Sequence, residues 1–322
     1  MIFSKKNVLP FQGNLRKRAY FEGWYYKQVS YDEKSALSLI PGVTLNEKDP
    51  HCFIQYIYVT LDNNDKHITK TGYVRYALEA FIWNDNPFTV KIADSLFSES
   101  LVSVHLEDDT IKIDGILQLG KFLSIKRTPY IPTIMGPFSY IPKMECYHEV
   151  VSMSHLLKGD LEINGLKIDF TGGKGYIEKD WGNNFPKDYI WLQSNHFENP
   201  TASLFFSYAH IPFYGKEFQG LICSFYYDKR EYRFATYNNS RIDIHSSEEN
   251  QLDITVENKE ARLEMNVKTK IQGQLVAPIP TGMEKIIKEG IAGEIAVTFY
   301  NKKTKETYKD LGKMAGIEVV DA

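Results

Sequence analysis

The two-residue alternation of apolar and polar side chains constrains this chain most. In DLEINGLKIDF, Leu161 and Ile163 alternate with polar neighbours, Asn164-Gly165 breaks the run, and Leu166, Ile168 and Phe170 resume it. An apolar residue at every second position marks a half-buried strand, and Asn-Gly supplies the two positive φ angles of a type I′ hairpin turn. The same pattern predicts a hairpin from Val102, Val104 and Leu106 to Ile111 and Ile113, and another from Leu252, Ile254 and Val256 to Leu263, Met265 and Val267. Helix is expected only in GMEKIIKEG, residues 282–290, with Gly290 as its cap. Strands at this spacing without intervening helices imply an all-β, antiparallel chain of barrels or sandwiches.

No low-complexity linker divides the 322 residues, but EGWYYKQVSY and YIWLQSNHFE read as two Trp-led strands. That echo predicts two tandem β domains, 1–157 and 158–322, divided just before the Asn-Gly hairpin. Aromatic side chains make up 14% of the chain. They serve a β-rich core first, and they also line ligand cavities.

Several function classes drop out. A net charge of -3 gives no bulk reason for nucleic-acid binding. Cys52, Cys146 and Cys223 are odd in number and lack metal-ligand spacing, so reduced thiols in the cytoplasm are the expectation. The first 18 residues contain no apolar leader core, and no run is long enough to span a membrane. YHEVVSMSH begins like a zinc-protease HExxH but has Ser152 in the second ligand position, and TGGKGY lacks the P-loop spacing.

GYIEKDWGNNFP carries the chemistry. On a strand, Glu178 and Asp180 share one face while Lys179 and Trp181 share the other. Near the start, Glu22 and Trp24 likewise share a face, followed by Tyr25; further on, Trp191 and Asn195 lie on one face and His196 on the other. Each has a structural alternative: Trp24 as core, Asp180 as a carboxylate capping the GNNFP turn, His196 as a satisfied core histidine.

YFEGWYYK, MECYHEVVSMSH, GKGYIEKDWGNNFPKDYIWLQSNHF and LVAPIPTGMEKIIKEGIAGEIAV together resemble the tocopherol cyclase family. More remotely, EGWYY and KDWG are similar to motifs of carotenoid 1,2-hydratases and related proteins with two lipocalin-like domains, although Gly23-Trp24 stands where those relatives carry a double tryptophan. The resemblance implies an intramolecular lyase that protonates the alkene of a prenylated quinol or other isoprenoid, the phenol oxygen capturing the cation. Water capture would make it an alkene hydratase, and the same barrels without turnover would make a carrier of a lipid, quinone or tetrapyrrole. In the catalytic reading Asp180 is the acid, with Glu178 or Glu22 as alternatives. Trp24, Tyr25, Trp181 and Trp191 form aromatic walls, and Asn195 and His196 orient the polar head. The expected partner is a hydrophobic small molecule, with peripheral membrane contact open; no metal or cofactor is called for.

Overall fold

The computed structural model describes residues 8–62, 64–213, 215–248 and 250–321. Residues 1–7, part of the stretch read above for a leader, lie outside the described residues. Twelve strands form the first sheet. They are β1 (Phe21–Val29), β2 (Ala36–Thr44), β3 (His51–Leu61), β4 (His67–Ala77), β5 (Phe81–Asp85) and β6 (Phe88–Ile92). The sheet continues with β7 (Ser95–Ser98), β8 (Leu101–Glu107), β9 (Lys112–Leu119), β10 (Cys146–Ile163), β11 (Leu166–Asp169) and β12 (Lys174–Gly182). The second sheet has ten. These are β13 (Tyr189–Ser194), β14 (Ser203–Phe213), β15 (Lys216–Tyr227), β16 (Arg230–Ala235) and β17 (Arg241–Glu248). The remainder are β18 (Gln251–Glu257), β19 (Ala261–Lys268), β20 (Gly273–Ile279), β21 (Gly282–Asn301) and β22 (Thr307–Val320).

Both sheets follow one plan. The first runs β4-β3-β2-β1-β12-β10-β9-β8-β7-β6-β5, so its last strand pairs with its first; the second runs β16-β15-β14-β13-β22-β21-β19-β18-β17 with the same closure of β22 on β13. Trp24 and Trp191 therefore occupy corresponding strands, each the first of its sheet. Each sheet encloses its own apolar core: Trp24, Tyr26, Ile54, Phe97 and Ile177 belong to one, Leu192, Phe206, Phe225, Leu263 and Ile317 to the other. The chain is all-β with two lipocalin-like antiparallel units, and its only helical turns among the described residues are three short 3-10 segments. No helix among the described residues is long and apolar enough to cross a membrane. All three cysteines are free thiols.

The helix expected at 282–290 is a strand, the start of β21. Glu284, Ile286 and Lys288 are exposed while Ile287, Glu289 and Ile291 are buried, a period of two. Pairing with β20 overrides the local helical composition. Gly290 is no cap: a Cβ there would come within 3.0 Å of the Ile271 carbonyl.

The compact units also divide elsewhere than at residue 157, which lies within β10. The first comprises the chain up to Phe185 together with Gly273–Ile287; the second comprises Pro186–Gln272 and the chain from Lys288 on. The Asn-Gly hairpin stays with the first unit because β10 continues straight into it, Ile163 facing Leu166. Gln55 holds the returning segment to the first unit, its Nε2 donating to the Val276 carbonyl at 3.2 Å and its Oε1 accepting from the Val276 N–H at 2.6 Å.

The hairpin turn itself gives a direct test. Gly165 has φ +79° with nothing within 4 Å of a Cβ placed there, so Gly165→Ala meets backbone strain alone. That change is expected to lower unfolding free energy by about 1 kcal/mol, read from the urea midpoint.

Candidate active site

Two sets of ionisable groups lie on opposite faces of β12, which is buried between β1 and β10. Its alternation sends Lys179 and Trp181 to the core side and Glu178 and Asp180 to the other.

On the core side, Lys179 Nζ lies 2.6 Å from Glu22 Oε1, with both side chains fully buried. The ammonium also donates to the carbonyls of Val8 at 2.5 Å, Leu9 at 3.2 Å and Pro10 at 2.6 Å. It stands over the rings of Trp24 and Trp181, 4.8 and 5.2 Å from their centroids. Glu22 accepts from the N–H groups of Gln12 at 2.9 Å and Gly13 at 3.1 Å and from the Tyr20 hydroxyl. Burial and the neighbouring Glu22 push the Tyr20 hydroxyl far above its usual range, so it stays a donor. Trp24 Nε1 donates to the Leu9 carbonyl at 2.9 Å. Glu22 is thus the counter-ion of a structural lock that ties residues 8–13 across β1 and β12.

On the other face, β10 places His148 directly opposite Asp180 and Val150 opposite Glu178. His148 Nδ1 lies 2.8 Å from Asp180 Oδ1, and Nε2 lies 3.6 Å from Glu178 Oε2. Burial works against a charge on the ring, but Asp180 and Glu178 outweigh it, Glu149 adds to them, and His148 is pushed up to about 9. At neutral pH it is an imidazolium between two carboxylates. The Tyr176 hydroxyl donates to Glu178 Oε2 at 2.6 Å, and Cys146 Sγ donates to Asp180 Oδ1 at 3.6 Å. Burial, reinforced by those carboxylates, lifts both the tyrosine and the thiol well above their usual ranges, so both keep their protons. Tyr25 packs edge-on to Tyr176 with centroids 6.5 Å apart, and Ser38 Oγ donates to the Tyr25 hydroxyl at 2.8 Å. The His148, Glu178 and Asp180 donor atoms all fall within 4.8 Å of one another, close enough for a cation, and the imidazolium supplies the positive charge there.

Of the residues singled out in the sequence, Glu178, Asp180 and Tyr25 come together on this face. Glu22, Trp24 and Trp181 come together on the core face. Trp191, Asn195 and His196 belong to the second unit. There Trp191 lies on Gly316, where a Cβ would reach within 2.5 Å of the indole, and the His196 carbonyl accepts from the Lys313 N–H at 2.8 Å. Asn195 is buried beside it. Asp180 does not cap the GNNFP turn: the Asn183 and Asn184 N–H groups donate to the Glu145 carbonyl instead. His148, Tyr176 and Cys146 were absent from the expected set. Alternation along CYHEVVSMSH puts Cys146 and His148 on one face, but their register against Asp180 is set only by strand pairing.

A family model described as tocopherol cyclase-like matches residues 127–320. The chloroplastic tocopherol cyclase of Zea mays is 34% identical over 68 residues, which are 21% of this chain and 14% of that protein. A probable chloroplastic tocopherol cyclase of Oryza sativa subsp. japonica is 23% identical over 199 residues, covering 57% of this chain and 41% of that protein. The chain therefore spans less than half the length of these curated relatives. Among solved structures, CghA with Sch210972 aligns over 94% of this chain and 88% of that one, with a TM-score of 0.57 and 9% identity, a likeness of fold.

Removing one partner of the buried lock leaves an uncompensated charge. Lys179→Met is expected to cost about 3–5 kcal/mol of stability, and adding Glu22→Gln to recover part of it, measured by chemical denaturation. His148 has a raised pKa, so its contribution to stability is complete below 6.5 and is lost as pH rises through about 9. The difference in melting temperature between wild type and His148→Gln should shrink across that interval.

Proposed function

The chain belongs to the tocopherol cyclase-like family, and on that premise we propose that it is an isomerase of the intramolecular-lyase kind. Its substrate is a prenylated quinol or a related isoprenoid alkene. The observation that carries this reading is the partly buried group of Asp180, His148 and Glu178, with Tyr25 and Tyr176 beside it. A proton delivered to a trisubstituted alkene leaves a tertiary cation. The phenol oxygen captures that cation and releases its own proton, so atoms and charge balance within the substrate.

The site supplies what these steps require. Asp180 is the donor: its side chain is 22% exposed and it is held by the imidazolium that can load it. The tyrosine rings offer π faces to the cation. Strands β10 and β12 hold the acid by a fixed register rather than on a loop, which keeps donor and substrate aligned. A substrate of this class is a hydrophobic small molecule collected at a lipid surface.

Incubating the protein in D2O with a geranylated dimethylhydroquinol is expected to yield a chromanol carrying one non-exchangeable deuterium. Asp180→Asn keeps the shape of the side chain and removes the transferable proton. Its turnover should fall by about 10²–10⁴-fold with folding intact. A folded Asp180→Asn/Glu178→Gln protein that cyclises this probe at the wild-type rate would falsify the assignment.

A further inference from the structure

We propose that the two carboxylates have separate roles: Asp180 exchanges the proton with the substrate, His148 stores it, and Glu178 is a positioning residue that orients the imidazole from its far side. This rests on the proposed alkene protonation, and it assigns that chemistry to particular atoms.

The two carboxylates differ in what surrounds them. Glu178 is 7% exposed at its side chain, against 22% for Asp180. The hydroxyl of buried Tyr176 donates to Glu178 Oε2 and so helps to anchor the less exposed of the two carboxylates. The hydrogen bonds to Asp180 from His148 and Cys146 both fall on Oδ1, and its greater exposure is what favours Oδ2 as the oxygen that meets a substrate. The imidazole stands between the two, with Nδ1 toward Asp180 and Nε2 toward Glu178. A ring with a buried carboxylate 3.6 Å from one nitrogen and a proton exchanged at the other is akin to the arrangement by which acid–base triads orient their imidazole. Two carboxylates in unlike settings can then take unlike roles.

The cycle closes without another reactant. The Nδ1–H bond of the imidazolium breaks as an O–H bond forms on Asp180, and a half-turn about Cβ–Cγ presents the acid. That O–H bond breaks as the alkene gains its C–H bond. The phenol oxygen forms the C–O bond, and its proton passes to Asp180 and back to Nδ1. Glu178 remains ionised throughout and keeps Nε2 protonated.

The test follows the His148 ring by NMR in protein labelled at histidine, alongside turnover of the geranylated dimethylhydroquinol across pH. The groups facing His148 are Asp180 and Glu178 on β12, Cys146 and Glu149 on its own strand, and Met135 Sδ, which accepts from its backbone N–H. Wild type should titrate near 9. In Glu178→Gln the midpoint should fall by about one pH unit or more, and turnover near about pH 8 by about twofold or more with it, with KM unchanged and activity recovering at lower pH. Glu178→Asp, which keeps the charge, should restore much of the midpoint. Asp180→Asn should lose turnover at every pH. The role assignment fails if Glu178→Gln leaves the His148 midpoint where it was, or if it abolishes turnover at every pH as Asp180→Asn does. A wild-type protein that puts no deuterium into the probe overturns the reaction itself, and the roles with it, whatever the ring titration shows.

Discussion

A lysine ammonium closed off from water is costly unless its charge is answered, and Lys179 is answered by Glu22, three carbonyls and two indole faces. Those partners come from three places: β1, β12 and residues 8–13. Satisfying the charge therefore fixes the register of β1 on β12 and draws the preceding segment across them. A slip of one residue would turn Lys179 to the opposite face and bring Glu178 inward, where no such partners wait. The lock on the core side is what keeps Glu178 and Asp180 on the face that carries His148. In this strand, stability and chemistry are two faces of one alternation.

Much of the architecture was legible because strand period is local. The hairpins at 102–113, 161–170 and 252–267 each declare themselves within about a dozen residues, and the structure pairs Leu106 with Ile113, Ile163 with Leu166 and Val256 with Leu263. The two Trp-led strands also occupy matching places. The start of β21 reads as helix because Glu284, Lys285, Ile286 and Ile287 suit a helix by composition; what makes them a strand is pairing with β20. No window around those residues contains that information.

The site was legible to the same depth. Period two puts Glu178 and Asp180 together, and the structure agrees. It cannot say which groups meet them. His148 reaches Asp180 across a strand pair whose register includes two bulges further along, between Val150 and Ser152 and between Ser152 and His155. Glu22 looked like an acid because its counter-ion is 157 positions later and two of its amide donors lie in an irregular stretch. The residue type was visible and the pairing was not.

The return of Gly273–Ile287 to the first unit has a consequence for the growing chain. Translation delivers residues up to Phe185 first, yet the segment that seats on Gln55 is made only after most of the second unit. At a synthesis rate of about 5–20 residues per second, the earlier-made sheet waits several seconds with Gln55 and its neighbours uncovered. During that interval the nascent protein presents an uncovered face of β3 to its surroundings, and the order of manufacture, rather than the finished contacts, decides when it is most exposed to wrong partners.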